Sequence, residues 1–294
     1  MILVTGGTGF VGPRIIHALR TEDRDVRALV RKPERAVTLK SWACRVIQGD
    51  VTDADSVRRA AEGCEAVVHL VSIITGRRSA YERVMVEGTR NLVAAAREAG
   101  VRRFILMSAL GVSEETRTLV PYYGAKWEME TAVKESGLEH VIFRPSFVFG
   151  RDGGVLPIFV RQVRLSPVTP VLGNGELRLQ PIWIDDVASF FAASIDLPAA
   201  TNRTFELGGP DRPTWNELYE RIARRLDKER RSVHVPWTLA RVGAAVVEHL
   251  PGAPVTRDQL TMLQAGDNVT DDPSAVETFG IEPIGLDEQL RRGT

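Results

Sequence analysis

Residues 1–12, Met-Ile-Leu-Val-Thr-Gly-Gly-Thr-Gly-Phe-Val-Gly, constrain the fold more than any other stretch of the chain. Ile2, Leu3 and Val4 form an unbroken apolar run, the pattern of a strand covered on both faces. Gly6, Gly9 and Gly12 then fall three apart. In a strand–turn–helix unit the first glycine permits a tight turn and the second lets backbone approach a pyrophosphate. The third lets the helix pack closely on the strand. The helix start offers unpaired N–H groups and a partial positive charge, which suit a phosphate. Val11, Ile15, Ile16 and Leu19 supply its apolar face. The turn residues expected to hold a dinucleotide are Gly6, Gly7, Thr8, Gly9, Phe10, Val11 and Gly12. The other glycine-rich phosphate loop, G-x-x-x-x-G-K-[ST], fails here because Pro13 and Arg14 follow Gly7 and Gly12.

Strand and helix patterns alternate through the first half. Strands are expected at Asp25 to Val30, Arg45 to Gln48, Ala66 to Leu70, Arg103 to Met107 and His140 to Arg144. The longest helical patterns between them run from Ser79 to Ala99 and from Tyr122 to Ser136. This alternation predicts an α/β fold, a doubly wound parallel sheet of Rossmann type. Ligands of such sheets bind beyond the carboxyl ends of the strands, so Thr5, Arg31, Asp50, Val71, Ser108 and Pro145 are the positions of interest. After residue 147 the rhythm breaks into short segments punctuated by Asp152-Gly-Gly, Gly173-Asn-Gly and Gly208-Gly-Pro. The expected organisation is a dinucleotide-binding domain over 1–147 and a smaller C-terminal substrate lobe over 148–294, with 182–197 packing back on the sheet. Thr214 with Glu217 and Thr256 with Gln259 match the capping-box pattern. Asp185 and Asp186 are read as acids at a helix start rather than as an acid–base pair.

At 294 residues and 44% hydrophobic, the chain can bury a full core. Its 38 basic residues balance 38 acidic ones, so no global field favours nucleic acid or an anionic membrane. Cys44 and Cys64 are too few for a disulfide scaffold and fit a reducing cytoplasm. The fold starts at residue 1, so no signal peptide is expected. The five histidines, 17, 69, 140, 234 and 249, lack metal-ligand spacing, and no metal site is expected. The apolar helix pattern from Trp237 to Leu250 is too short to span a bilayer.

Where an acidic residue would hydrogen-bond the ribose hydroxyls of NAD, the chain has Arg31 and Lys32. A cationic pair there suits a 2′-phosphate, so NADP(H) is favoured over NAD(H). Asp50, with the adjoining Val51, closes the third strand where an adenine amino group is within reach. The fourth strand leads into Val71 and Ser72, small or apolar side chains that let a dinucleotide lie against backbone.

Tyr122 and Lys126 are four apart, on one face of a helix. A lysine cation beside a phenol lowers its pKa, so the tyrosine can exchange a proton with a substrate oxygen. With the glycine turn and the strand–helix alternation, Tyr-Tyr-Gly-Ala-Lys makes the chain resemble the short-chain dehydrogenase/reductase superfamily in its extended form. That resemblance implies a Rossmann domain with a C-terminal substrate lobe, Tyr122 as general acid/base and Lys126 also holding the nicotinamide ribose. It implies that Ser108 polarises a carbonyl, and that Pro145 and Ser146, in Arg144-Pro-Ser-Phe-Val-Phe-Gly, pass beside the nicotinamide. Gln180-Pro-Ile-Trp-Ile-Asp-Asp-Val-Ala and Phe205-Glu-Leu-Gly-Gly-Pro are similar to later landmarks of the family.

Two departures stand out. Met85 occupies the place of an asparagine that supports a proton-relay water, and by alignment the active serine position falls on Ala109. The chain thus looks most like an atypical subgroup, that of the nucleotide-binding subunit nine of the complex I alpha subcomplex and its bacterial relatives. Met107-Ser-Ala-Leu-Gly, Pro254-Val-Thr-Arg-Asp-Gln-Leu and Asp267-Asn-Val carry that likeness. Two functional readings follow: a reductase or epimerase working through Tyr122, or a dinucleotide-binding structural or regulatory protein without turnover. Expected partners are the dinucleotide and a small-molecule substrate, with a homodimer or a membrane-associated complex as further options. A role inside a complex predicts an exposed apolar patch around Trp237 to Leu250.

Overall fold

The computed structural model describes residues 1–229, 231–248 and 255–294. The chain divides into two compact units. Residues 1–145, 184–207 and 272–282 form the first, and 146–183, 208–271 and 283–294 the second.

Among the described residues, the first unit contains one parallel sheet of seven strands: β1 (Ile2–Thr5), β2 (Val26–Val30), β3 (Arg45–Gln48), β4 (Ala66–His69), β5 (Arg103–Met107), β6 (Glu139–Pro145) and β7 (Arg203–Leu207). Their spatial order is β7-β6-β5-β4-β1-β2-β3. The chain winds outward from β1 to β3, then returns to β4 on the other side of β1. The switch point therefore lies between β1 and β4, where a doubly wound sheet opens a ligand crevice.

The strands are apolar on both faces because helices cover both. On β6, Ile142 joins a cluster with Met85, Leu92, Met129 and Val133, while its neighbour Phe143 points the other way. Phe143 packs on Phe191 at 4.7 Å and on Phe279 at 5.7 Å between ring centres. Phe279 ends the short helix Ser274–Phe279, so that late segment belongs to the first unit through its ring.

Four helices bear on the site. Helix α1 spans Gly12–Thr21. Helix α2 spans Ala54–Ala61 and is capped by Asp53, which accepts from the Asp55 N–H. The pattern expected at Ser79 to Ala99 is instead Arg78–Tyr81, a π turn at Glu82–Glu87, and Gly88–Glu98, hereafter α3. Such insertions often accompany functional sites. Helix α4 follows at Pro121–Lys134, with Pro121 supplying the fixed φ of a helix start. Asp185 and Asp186 lie in the first turn of Ile184–Ala193, and Asp185 approaches Arg14 at 3.7 Å.

The second unit carries two small sheets: Val148–Gly150 with Ile182–Trp183 and Gly153–Gly154, and Val168–Leu172 with Arg231–Val235. Trp215 packs edge-on against Phe159 at 5.4 Å. Thr214 with Glu217 and Thr256 with Gln259 form capping boxes, opening Trp215–Arg225 and Arg257–Gln264. The helix expected from Trp237 is present as Trp237–Val247; its expected end at Leu250, like His249 and Pro254, lies outside the described residues. Leu239, Val242 and Val246 on it stand in solvent. No helix among the described residues is long and apolar enough to cross a membrane.

Candidate dinucleotide and proton-transfer site

The glycine turn is built by contact as much as by conformation. Gly6 takes φ +79°, a left-handed geometry that favours glycine. At Gly12 an added Cβ would meet the Gly6 carbonyl oxygen at 2.4 Å and Gly7 Cα at 2.6 Å, so only hydrogen lets α1 press on the turn. At Gly9, in contrast, a Cβ would touch only the Gly6 oxygen, at 3.2 Å; its other side is open. Thr8 is exposed and Val11 buried. Among the described residues, the N–H groups of Phe10, Val11 and Gly12 meet no acceptor in the protein. A cluster of free donors at a helix start, backed by a surface no side chain fills, fits a pyrophosphate.

Arg31 and Lys32 follow β2 directly, with Arg35 in the short turn after them. All three are exposed. Asp50 follows β3, and its Oδ1 accepts from the backbone and hydroxyl of Thr52, each at 2.9 Å. Capping of α2 falls to Asp53, which leaves the second oxygen of Asp50 outside that turn. Val51 is buried and explains Gly88, where a Cβ would come within 2.8 Å of Val51 Cγ2. Pro145 closes β6 and accepts from the Leu110 N–H at 2.9 Å. Ser146 belongs to the second unit, where its hydroxyl donates to Asn268 Oδ1 at 2.6 Å.

Tyr122 and Lys126 share a face of α4, with Nζ 5.9 Å from the centre of the phenol ring. Lys126 is buried, and Nζ donates to the Met107 carbonyl at 2.7 Å, at the end of β5. Burial pulls its pKa down to about 7, with Glu130 acting in the opposite sense. The sequence reading expected a full cation that lowers the Tyr122 pKa. The structure corrects this: burial pushes the phenol up to about 12, and the group that opposes the rise is Ser72. Tyr122 keeps part of its surface in solvent all the same. Val71 and Ser72 lie just past β4, and the buried Ser72 hydroxyl oxygen has no hydrogen-bond partner in the protein.

Ser108 is placed differently from its expected role. It is buried, and its hydroxyl donates to Glu130 Oε1 at 2.6 Å. The same carboxylate takes both forks of Arg144, at 2.9 and 2.8 Å, and Lys134 Nζ at 3.0 Å. Although burial works against it, these partners hold the Glu130 carboxyl below its ordinary pKa. The one proton of Ser108 is therefore committed to Glu130. Sequence reasoning missed Glu130, yet its place four residues past Lys126 and four before Lys134 puts all three on one helix face.

It also missed His69. This fully buried imidazole joins Thr5 Oγ1 at 2.6 Å through Nδ1 and Thr89 Oγ1 at 3.0 Å through Nε2. Thr89 in turn donates to the Met85 carbonyl at 2.5 Å, within the π turn. The chain of contacts ties the strand before Gly6 to α3. Burial, then the Lys126 charge, drop the His69 pKa to about 3, so the ring is neutral. Met85 itself is completely buried among apolar side chains, and a thioether is only a weak acceptor. Among the described residues, no group of three or more His, Cys, Asp or Glu is arranged to hold a metal ion.

Comparison with known proteins agrees with this geometry. Residues 6–198 match the family described as NAD(P)H-binding. The chain is 30% identical over 238 residues to the ceramide reductase of Caulobacter vibrioides, covering 80% of this chain and 74% of that protein. It is 29% identical over 252 residues to the mitochondrial NADH dehydrogenase [ubiquinone] 1 alpha subcomplex subunit 9 of Arabidopsis thaliana, covering 82% of this chain and 62% of that one. Among solved structures, the NADPH complex of the quinone oxidoreductase QOR2 of Escherichia coli superposes with a TM-score of 0.81 at 21% identity, covering 99% of each chain. UDP-glucose 4-epimerase of Thermotoga maritima superposes with a TM-score of 0.78 at 21% identity, covering 99% of this chain and 96% of that one. With the glycine turn, the doubly wound sheet and the match over residues 6–198 together, the chain belongs to the NAD(P)H-binding family, in the extended short-chain dehydrogenase/reductase, epimerase-like fold.

Proposed function

We propose that this protein is an NADP(H)-dependent carbonyl reductase in which Tyr122 donates the proton. The carrying observation is the pairing of a phenol held protonated at neutral pH with a buried lysine on the same helix face. When bound, the dinucleotide supplies a hydride to the carbonyl carbon. The free N–H groups of Phe10, Val11 and Gly12 would hold its pyrophosphate, and Asp50 lies where its adenosine would reach. Lys126, whose Nζ donates to the Met107 carbonyl, would bind ribose and steady the tyrosinate after transfer. A phenol with a raised pKa is a proton donor rather than a base, which favours reduction over alcohol oxidation. The cations Arg31, Lys32 and Arg35 where NAD enzymes carry an acid favour a 2′-phosphate. The ceramide reductase and the NADPH-dependent quinone oxidoreductase among its relatives and structural neighbours fit the same reading.

A second reading has its own observations. Ser108 is bonded to Glu130 and Met85 is sealed in the core, two losses suited to a non-catalytic dinucleotide-binding subunit of the subunit 9 type. Turnover separates the two. NADPH oxidation is followed with decanal, acetophenone and menadione, for the wild type and Tyr122→Phe. The reductase reading expects turnover of at least one compound and its loss in Tyr122→Phe with NADPH affinity kept. NADPH binding without any turnover would favour the subunit reading. Equal rates in both proteins would remove Tyr122 as the acid.

A further inference from the structure

A carbonyl oxygen that takes a proton from one hydroxyl is commonly polarised by a second. At the end of β5 that second donor is missing, because Ser108 gives its proton to Glu130 Oε1 at 2.6 Å and Ala109 has none to give. The hydroxyl of Ser72 is different. Its oxygen is buried and makes no hydrogen bond of normal length in the protein, yet it is near enough to the Tyr122 phenol to oppose the rise in that group's pKa. A buried hydroxyl left unpaired is unfavourable, so an orphan of this kind calls for a partner that arrives from outside.

Resting on the reductase reading above, we propose that Ser72 is the second hydroxyl of the reaction, donating a hydrogen bond to the substrate carbonyl oxygen as Tyr122 passes its proton to that same atom. Hydride from the reduced dinucleotide adds to the carbonyl carbon, the C=O π bond breaks, and the oxygen takes the Tyr122 proton. The products are the alcohol, the oxidised dinucleotide and a tyrosinate that recovers its proton from water. Ser72 is held for this task. It lies three residues past His69, at the carboxyl end of β4 beside the switch point. Ile73 packs on the core, and the buried Tyr81 donates from its hydroxyl to the Ile74 carbonyl at 2.9 Å. The loop is thus tied down on both sides of the hydroxyl's exit, the preorganisation such a donor needs. The Ser72 contact is also the one that opposes the rise in the Tyr122 pKa, so it favours the tyrosinate left after transfer.

The test compares Ser72→Ala, Ser72→Thr and Ser108→Ala on whichever of decanal, acetophenone and menadione the wild type reduces fastest. Ser72→Ala is expected to lower kcat by about 10²–10³ with NADPH affinity unchanged. Its thermal midpoint should stay nearly level, because the lost hydroxyl makes no hydrogen bond of normal length. Ser72→Thr keeps the hydroxyl and should keep most of the rate. Ser108→Ala should lower the midpoint more than the rate. Wild-type kcat in Ser72→Ala would overturn the assignment. So would weakened NADPH binding at unchanged kcat, which would give the hydroxyl to the dinucleotide. A wild type that binds NADPH and reduces none of the three compounds would overturn the reductase reading first, and this inference with it.

Discussion

Two polar regions of the first unit are built on opposite principles. Around Glu130 every partner is internal: Ser108, both forks of Arg144 and Lys134 fill the carboxylate. Around the glycine turn and Tyr122 the protein leaves groups unmatched, namely the N–H groups of Phe10, Val11 and Gly12 and the hydroxyl of Ser72. A saturated network makes stiffness, whereas an unsaturated one makes a site. The difference locates function better than residue type does, since each region contains a serine.

The sharpest way to break the comparison is at the saturated side. Glu130→Leu leaves Arg144 only the looser Glu206, at 3.9 Å, and frees Ser108; removing one partner of a buried ion pair typically costs about 3–5 kcal/mol. Urea unfolding should show a loss of that size. A loss below about 1 kcal/mol, the range of exposed pairs, would make the network ornamental.

A second test uses pH. His69 has a folded pKa near 3, below its unfolded value of 6.5, so the unfolded chain binds the extra proton between those limits. Its contribution is whole above pH 6.5 and is lost as pH falls toward 3, with a slope of at most about 1.4 kcal/mol per pH unit. Lys126, with a folded pKa near 7 against 10.5, follows the same sign in a higher window: stability rises from pH 7 to 10.5. His69→Gln should flatten the acid limb alone. An unchanged acid limb in that variant would mean that the imidazole is not held neutral between Thr5 and Thr89.

Much of this was legible from the chain. The strands Arg45–Gln48 and Arg103–Met107 have the ends expected from the sequence; for the second, this is because a strand covered on both faces demands a continuous apolar run. Both capping boxes are local, four-residue devices and were readable as such. The long-range polar contacts were not. Thr5 and His69 lie 64 residues apart, and nothing in either neighbourhood announces the pair. The Tyr122 pKa was expected to move the wrong way because burial, a property of the folded whole, outweighs a charge on the adjacent turn. The π turn at Glu82–Glu87 also escaped, since its side chains keep a helical apolar pattern while the backbone shifts register.

The smallest expected effect lies at the rim of the open region. Arg31→Ala should weaken NADPH about tenfold and leave NADH nearly unchanged, the size of one exposed hydrogen bond to a charged group. Equal losses for both cofactors, read by isothermal titration, would make Arg31 a general surface charge.

The central proposal is that the unmatched N–H groups around the glycine turn hold a dinucleotide, with Arg31 and Lys32 favouring the phosphorylated one. Titration of the purified protein with NADPH and with NADH, following energy transfer from tryptophan to nicotinamide, tests it most directly. Saturable binding with NADPH tighter than NADH is the predicted result, and failure to bind either cofactor would contradict the account.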